Sequence, residues 1–146
     1  MAKTELRSEV EIDASPAHVY AILTDFANYG DWNPFLTVVQ GELAVGRILS
    51  VEMSLPEGDA YTLEPEVTQV SAASELRWRA RFAFAALLEA EQLFLLKEAR
   101  PGVTRLVQGL NFSGFLLKFS NKILTQSARG CVYMNQALKK RAESTR

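Results

Sequence analysis

Histidine and cysteine are the residue types that this sequence has least of, with one of each, His18 and Cys131. A single cysteine cannot form an internal disulfide, which is typical of proteins from a reducing compartment. A zinc site needs several histidine or cysteine ligands, and a Ser/His/Asp or Cys/His catalytic site needs a histidine beside its nucleophile. We therefore expect no metal and no cofactor. We predict that His18 lies on the surface near a helix N-terminus and that Cys131 is a buried, inert thiol.

An excess of one charge and a long apolar run are also missing. The chain has 16 basic and 17 acidic residues, with a net charge of -1, whereas nucleic-acid binding needs a clustered positive excess. No apolar run approaches the roughly 20 residues that span a bilayer, and the N-terminal segment has no apolar signal sequence. These features predict a single cytoplasmic domain over residues 1–146, with no nucleic-acid partner and no integral membrane segment.

Alternation and helical spacing divide the chain into elements. Alternating residues predict a first strand over residues 4–13, since this is the period of a half-buried strand. Ser15 is a good N-cap and Pro16 a good first helical residue, so a helix begins there, and it is broken within 28–34. The remaining pattern predicts strands over 35–43, 46–53, 60–70, 76–82 and 103–112, and one long helix over 115–142.

The segment 82–99 is ambiguous, because its Ala, Leu, Glu and Lys content favours a helix and its alternation favours a strand. If the chain reverses near Ala85, Arg79 lies opposite Glu91 and Arg81 lies opposite Glu89. Opposite charges would then face each other across an antiparallel pair, which favours the strand. A second interpretation of the arginine row, which also includes Arg77, is an anion-binding site.

Strands in a run between helices indicate an antiparallel α+β domain. We predict a curved sheet of about seven strands wrapped around the long C-terminal helix, with two short helices after the first strand. An apolar pocket would lie between the sheet and that helix. The residues that we expect to bind a ligand there lie on inward rows or in the break: Trp32, Tyr61, Trp78, Ala80, Gln92, Phe94, Leu106, Gln108, Leu110, Phe119 and Ile123.

Several local strings resemble one family over nearly the whole chain. They are ASPAHVY (14–20), DF through WNPF (25–35), LRWR (76–79), TRL (104–106), FSGFL (112–116) and MNQALK (134–139). In this order they resemble the START-like (SRPBCC) superfamily, and within it the polyketide cyclase/dehydrase and lipid-transport family. The resemblance implies a helix-grip fold with a deep cavity. Members bind lipids, sterols, polyketides and plant hormones, and a minority catalyse cyclisation or dehydration of polyketides.

Two departures from the family bear on function. Close relatives often carry a histidine where this chain has Gln92, and a glutamate where it has Leu110. We therefore predict binding of a small hydrophobic ligand such as a lipid or polyketide-like molecule, with Gln92, Gln108 and Tyr61 as the polar groups that orient it. The alternative is a cyclase/aromatase-like enzyme, for which Asp25, Asp31 and Glu52 are conceivable pocket acids, although a surface position is predicted for each.

An apolar loop is the remaining feature. Residues 82–88 have the sequence FAFAALL, and exposed apolar patches mark contacts with a partner, a membrane or a second copy. A homodimer through this loop, from Phe82 to Leu88, is therefore a further hypothesis.

Overall fold

One strand, two short helices, a run of antiparallel strands and a long helix follow one another along the chain. The computed structural model describes residues 3–82 and 88–146, without the side chain of Phe82. The strands are β1 Lys3–Ile12, β2 Leu36–Gln40, β3 Ser50–Ser54, β4 Ala60–Leu63, β5 Glu66–Ser71, β6 Glu75–Phe82, β7 Leu88–Arg100 and β8 Val103–Ser113. The helices are α1 Pro16–Thr24 and α2 Asn121–Thr145, with 3-10 helices at Phe26–Asp31 and Leu117–Phe119. The predicted α+β class with a curved antiparallel sheet and a long C-terminal helix is confirmed.

The strands form two sheets, one of five strands in the order β1-β8-β7-β6-β5 and one of three in the order β2-β3-β4. The two sheets are joined where residues 46–49, which precede β3, bond to residues 65–67 at the start of β5. The joint consists of the hydrogen bonds from Gly46 N to Val67 O (2.8 Å), Val67 N to Arg47 O (2.9 Å) and Leu49 N to Pro65 O (2.9 Å). The two sheets therefore curve into one concave surface around the core.

One predicted strand was wrong in its extent. The segment 60–70 is two strands, β4 and β5, which belong to different sheets. Glu64 and Pro65 separate them, and a proline in mid-strand removes a ladder donor and favours such an interruption. The described part of the chain consequently has eight strands, one more than predicted.

The ambiguous segment before Arg100 is a strand, as predicted. In the β6–β7 pair Arg79 lies opposite Glu91 and Arg81 lies opposite Glu89, which is the expected register. The ion pairs themselves run diagonally, from Arg77 to Glu91 at 3.2 Å and from Arg79 to Glu89 at 3.1 Å. Burial of the alternate face has overridden the helical propensity of this segment.

Local signals at the first helix are also confirmed. The Ser15 Oγ accepts a hydrogen bond from the His18 amide (3.2 Å), and Pro16 is the first helical residue. His18 is half-buried rather than fully on the surface. Its Nε2 lies 3.1 Å from the carbonyl oxygen of Ala142 and 3.0 Å from the Thr145 Oγ1, so this side chain joins α1 to the last turn of α2.

The long helix begins later than predicted. The amides of Leu117, Phe119 and Ser120 bond to carbonyls three residues earlier, so tight 3-10 turns precede α2. Phe115 and Phe119 are 67% and 76% exposed and do not belong to the buried face of the helix. That face consists of Gln126, Ser127, Gly130, Cys131, Met134, Asn135, Leu138 and Ala142. Within the described residues, no helix is both long and apolar enough to span a membrane.

A glycine sets the distance between α2 and the three-stranded sheet. Phe35, which is 1% exposed, packs its ring directly against the backbone of α2 at Gly130. A Cβ at position 130 would lie 2.3 Å from the Phe35 Cδ1, well inside van der Waals contact. Only glycine allows the ring to sit this close to the helix.

Candidate functional site

A cavity lies between the two sheets, next to α2. On the five-stranded sheet its wall consists of Trp78, Ala80, Ala90, Gln92, Leu110 and Phe112. Opposite, the wall consists of Phe35, Leu36, Val51, Met53, Leu63 and Pro65, and Ser127 of α2 completes it. The cavity volume is about 20 Å³, which accommodates about one water molecule. The deep pocket implied by the family resemblance is therefore almost filled by side chains in this structure.

Strand alternation explains why these side chains meet. On neighbouring strands Trp78 lies opposite Gln92, Ala80 opposite Ala90, and Gln92 opposite Leu110. Residues two apart on a strand share a face, so these pairs form one continuous inward patch. The space exists because the alanine pair carries only methyl groups at its centre.

Four of the predicted ligand contacts line this cavity, namely Trp78, Ala80, Gln92 and Leu110. Phe94, Leu106 and Gln108 are fully buried in the same inward rows but farther along the strands. The Phe94 ring packs edge-on against Trp78, with 5.6 Å between centroids.

The other predicted contacts lie elsewhere. Trp32, Tyr61 and Ile123 are half-buried residues that pack against the core. Phe119 lies on the surface, outside the cavity. For all of these residues ligand contact stays a prediction.

Sequence reasoning missed the wall that belongs to the three-stranded sheet, and with it Ser127. The pattern at 46–53 predicts a strand, but the prediction does not place the inward row of that strand in the pocket. The alternation of Val51 and Met53, both buried, against exposed Glu52 would have found two of these residues. Ser127 could not be identified from the sequence, because nothing in the pattern of α2 distinguishes it from the other small residues of that helix.

Two polar side chains face the cavity. The Trp78 Nε1 donates a hydrogen bond of 3.0 Å to the Gln92 Oε1. Within the described residues the Gln92 Nε2 and the Ser127 Oγ have no hydrogen-bond partner. Their side chains are nevertheless buried, with residue exposures of 6% for Gln92 and 0% for Ser127. Buried polar groups normally have a partner. Five other buried side-chain atoms of the described residues also lack one, among them the Gln108 Oε1 and the Asn135 Oδ1. Of these seven atoms, only the Gln92 Nε2 and the Ser127 Oγ belong to residues that line this cavity.

The other two predicted orienting groups have different surroundings. The Gln108 Nε2 donates to the Met134 Sδ at 3.4 Å, beside a hydrogen bond of 3.1 Å from the Asn135 Nδ2 to the Ser8 Oγ. Gln108 therefore belongs to a buried polar contact between the five-stranded sheet and α2. Tyr61 lies opposite Met53 in the β3–β4 pair and is half-buried.

Titratable groups lie away from the cavity. Asp25, Asp31 and Glu52 are exposed, in agreement with the predicted surface positions. Burial raises the pKa of the Cys131 thiol to about 12, so this cysteine is an unreactive core residue at neutral pH. The described part of the chain holds no group of three His, Cys, Asp or Glu side chains that could bind a metal ion.

Residues 83–87 of the apolar loop lie outside the described residues; at its far end Leu88 is 3% exposed. Its predicted role as a contact with a partner, a membrane or a second copy therefore stays a prediction.

Solved structures share this fold over almost the whole chain. A START superfamily protein from Mycobacterium smegmatis matches with a TM-score of 0.78 and 19% identity, over 97% of this chain and 99% of that one. The Zhui aromatase/cyclase from Streptomyces sp. R1128 matches with a TM-score of 0.79 and 16% identity, over 97% and 94%. Norcoclaurine synthase from Thalictrum flavum, in complex with dopamine and hydroxybenzaldehyde, matches with a TM-score of 0.76 and 11% identity, over 99% and 89%.

At these identities the structural matches establish the START-like fold alone. A search of curated protein sequences gave no significant match. The family model for polyketide cyclase/dehydrase and lipid transport matches residues 3–86, which include all of β1 to β6 and the three-stranded wall of the cavity. The chain therefore belongs to the polyketide cyclase/dehydrase and lipid transport family.

Proposed function

We propose that the protein binds a small hydrophobic molecule in the cavity between its two sheets. The observation that carries this proposal is the lining, in which every described residue except Gln92 and Ser127 is apolar. Ligand sites are mostly apolar with a few orienting polar groups, and this cavity has that composition. Family membership supports the same function, since the family's description includes lipid transport.

Binding requires the cavity to open. Its volume of about 20 Å³ is far below the roughly 300–1,000 Å³ of typical ligand pockets. The wall formed by the three-stranded sheet is the one suited to move. It contributes Met53, whose unbranched side chain adapts to new shapes, and Leu63, which is only half-buried.

Besides the packing of Phe35 on Gly130, two polar contacts hold that wall against α2. At the β3–β4 turn the Glu57 amide donates to the Gln126 Oε1 at 3.1 Å, and Lys122 pairs with Asp59 at 2.8 Å. Exposed ion pairs contribute little to stability. Beyond this turn, the sheet is joined to the rest of the strands through 46–49 and 65–67. A hinge there would let the wall move outward as a unit while its own strand pairing is kept.

The alternative function is a cyclase/aromatase-like enzyme. Aldol closure and loss of water depend on a positioned acid or base. Among the described lining residues none has an ionisable side chain, so this cavity favours binding over acid–base chemistry. Turnover of a synthetic poly-ketone by the purified protein, lost in the cavity-filling variant below, would favour the enzyme instead.

A cavity-filling substitution tests the proposal. Ala90→Leu places three more carbon atoms in the centre of the cavity, while Ala99→Leu makes the same change at an exposed position on the same strand. We expect native mass spectrometry and thermal shifts with panels of lipids and polyketide-like compounds to find a ligand for the wild type and Ala99→Leu, and none for Ala90→Leu.

Circular dichroism establishes that both variants are folded before binding is compared. The proposal is contradicted if no compound binds the wild type, or if a folded Ala90→Leu variant binds as tightly as the wild type.

A further inference from the structure

We infer that the ligand is electrically neutral and carries an oxygen that accepts hydrogen bonds from the Gln92 Nε2 and the Ser127 Oγ. This inference rests on the proposed function, since it names the chemical class that the same cavity takes. Ketones, aldehydes, esters, phenols and alcohols with an apolar body belong to this class. Hydrocarbons lack the oxygen, and fatty acids carry a charge at neutral pH.

The orientation of the Gln92 amide is fixed by its neighbour. The indole nitrogen of Trp78 is a donor only, and it lies 3.0 Å from the atom assigned as the Gln92 Oε1. Exchanging the oxygen and nitrogen of the amide would place two donors against each other. The other end of the amide is therefore the NH₂ group, and this group has no hydrogen-bond acceptor within the described residues.

Ser127 supplies a second group from a different element. It lies on the buried face of α2 and is 0% exposed. Serine hydroxyls inside helices usually donate to a carbonyl of the preceding turn, yet the Ser127 Oγ has no partner in the part of the chain that the structure describes. Its proton is available to an acceptor in the cavity. A glutamine from β7 and a serine from α2 thus present donors to the same small space.

The size of that space agrees with one oxygen atom. A cavity of about 20 Å³ holds roughly one water-sized group, which needs two to four polar partners. The Gln92 Nε2 and the Ser127 Oγ are two such partners, which is the minimum of this range. A ligand oxygen placed there would satisfy both donors, while the apolar body of the ligand would displace the wall of the three-stranded sheet.

The surroundings select against charge. The described lining contains no Asp, Glu, Lys, Arg or His, and burying an ion without a counter-charge is far more costly than burying a neutral polar group. An ionised carboxylate would also need more donors than the two present. The cavity therefore discriminates between a ketone and the corresponding carboxylate of nearly the same shape.

Matched probes test this inference. Isopropylbenzene, acetophenone and benzoate have similar shapes, and their naphthalene counterparts provide a larger series. Titration calorimetry at pH 7 would compare the wild type with Ser127→Ala, and with Ser144→Ala as the control, because Ser144 is an exposed serine of the same helix.

We expect Ser127→Ala to weaken ketone binding about fivefold, the effect of one neutral hydrogen bond, and to leave hydrocarbon binding unchanged. Ser144→Ala should change neither. A second variant, Gln92→Leu, should also weaken ketone binding relative to the hydrocarbon, and neither carboxylate should bind the wild type.

The outcomes separate the two proposals. If no probe of either series binds the wild type, the proposed function is contradicted and this inference with it. If hydrocarbons and ketones bind but Ser127→Ala and Gln92→Leu affect both equally, the binding function stands and the inference is overturned. Binding of a carboxylate as tight as that of its ketone would overturn the neutral class.

Discussion

Replacement of Gly130 by alanine is the most direct test of how α2 packs against the cavity wall. The added Cβ would lie 2.3, 2.5 and 2.9 Å from three atoms of the Phe35 ring. Ordinary carbon contacts are about 3.5–4.0 Å. The ring would therefore have to move by roughly the difference between these values and 2.3 Å, which is more than about 1 Å. It cannot do so freely, because Phe35 is only 1% exposed and packed within the core.

The expected magnitude comes from two opposing effects. Alanine is favoured over glycine in a helix interior by about 1 kcal/mol. Overpacking of a filled core costs about 1–3 kcal/mol, and an overlap this large at Gly130 belongs in the upper part of that range. We expect Gly130→Ala to lower the free energy of unfolding by about 1–2 kcal/mol, and Tm by roughly 3–6 °C.

Urea unfolding followed by circular dichroism measures this change, and a second substitution isolates its cause. In a Phe35→Ala background all three overlapping ring atoms are gone, so Gly130→Ala should become stabilising by about 1 kcal/mol. The sign of the effect therefore reverses between the two backgrounds, with a coupling energy of about 2–3 kcal/mol. Stabilisation of the wild type by Gly130→Ala, or equal destabilisation of both backgrounds, would contradict the steric role of Phe35.

Three further predictions concern the core and the cavity wall. Burial raises the pKa of the Cys131 thiol to about 12, whereas the thiol of the unfolded chain has a pKa of about 8.5 and loses its proton first. The free energy of unfolding, measured by urea titration, should therefore fall as pH rises from about 9 towards 12. Cys131→Ala should make this fall less steep. Ligand binding should change the fluorescence of Trp78, which lines the cavity; the change should persist in Trp32→Phe and disappear in Trp78→Phe, and the reverse pattern would contradict the assignment. Lys122→Ala removes the exposed pair with Asp59 and should leave Tm nearly unchanged. In stopped-flow measurements it should raise the association and dissociation rates of a ligand together, whereas a large loss of Tm would show that this contact is structural.

Charge and alternation in the sequence were enough to place the central strands. The register of β6 against β7 followed from Arg79 and Glu91, because both period and charge pairing agreed on it. The start of α1 followed from Ser15 and Pro16, whose capping roles are local. Features of this kind depend on residues close in sequence or on one pair of strands, so they can be predicted from one amino-acid sequence.

Other features depend on contacts that no local pattern contains. Pro65 lies between two strands of different sheets, an interruption that the alternation across 60–70 conceals. The late start of α2 leaves Phe119 exposed, although its spacing suits a buried helix face. The size of the cavity depends on how Phe35 packs against Gly130, a contact between residues 95 positions apart in the chain. Sequence could predict which side chains point inward, but not how completely they fill the space.

The joint between the two sheets has a consequence for hydrogen exchange. Three amides close it, those of Gly46, Leu49 and Val67, and each is bonded across the joint rather than along a sheet. Cooperative units of a protein open separately, with their own free energies. If the three-stranded sheet is such a unit, these three amides should exchange with solvent together, faster than the amides that pair β7 with β8. Occupancy of the cavity would then be measurable outside its lining, as slower exchange at three positions that do not line it.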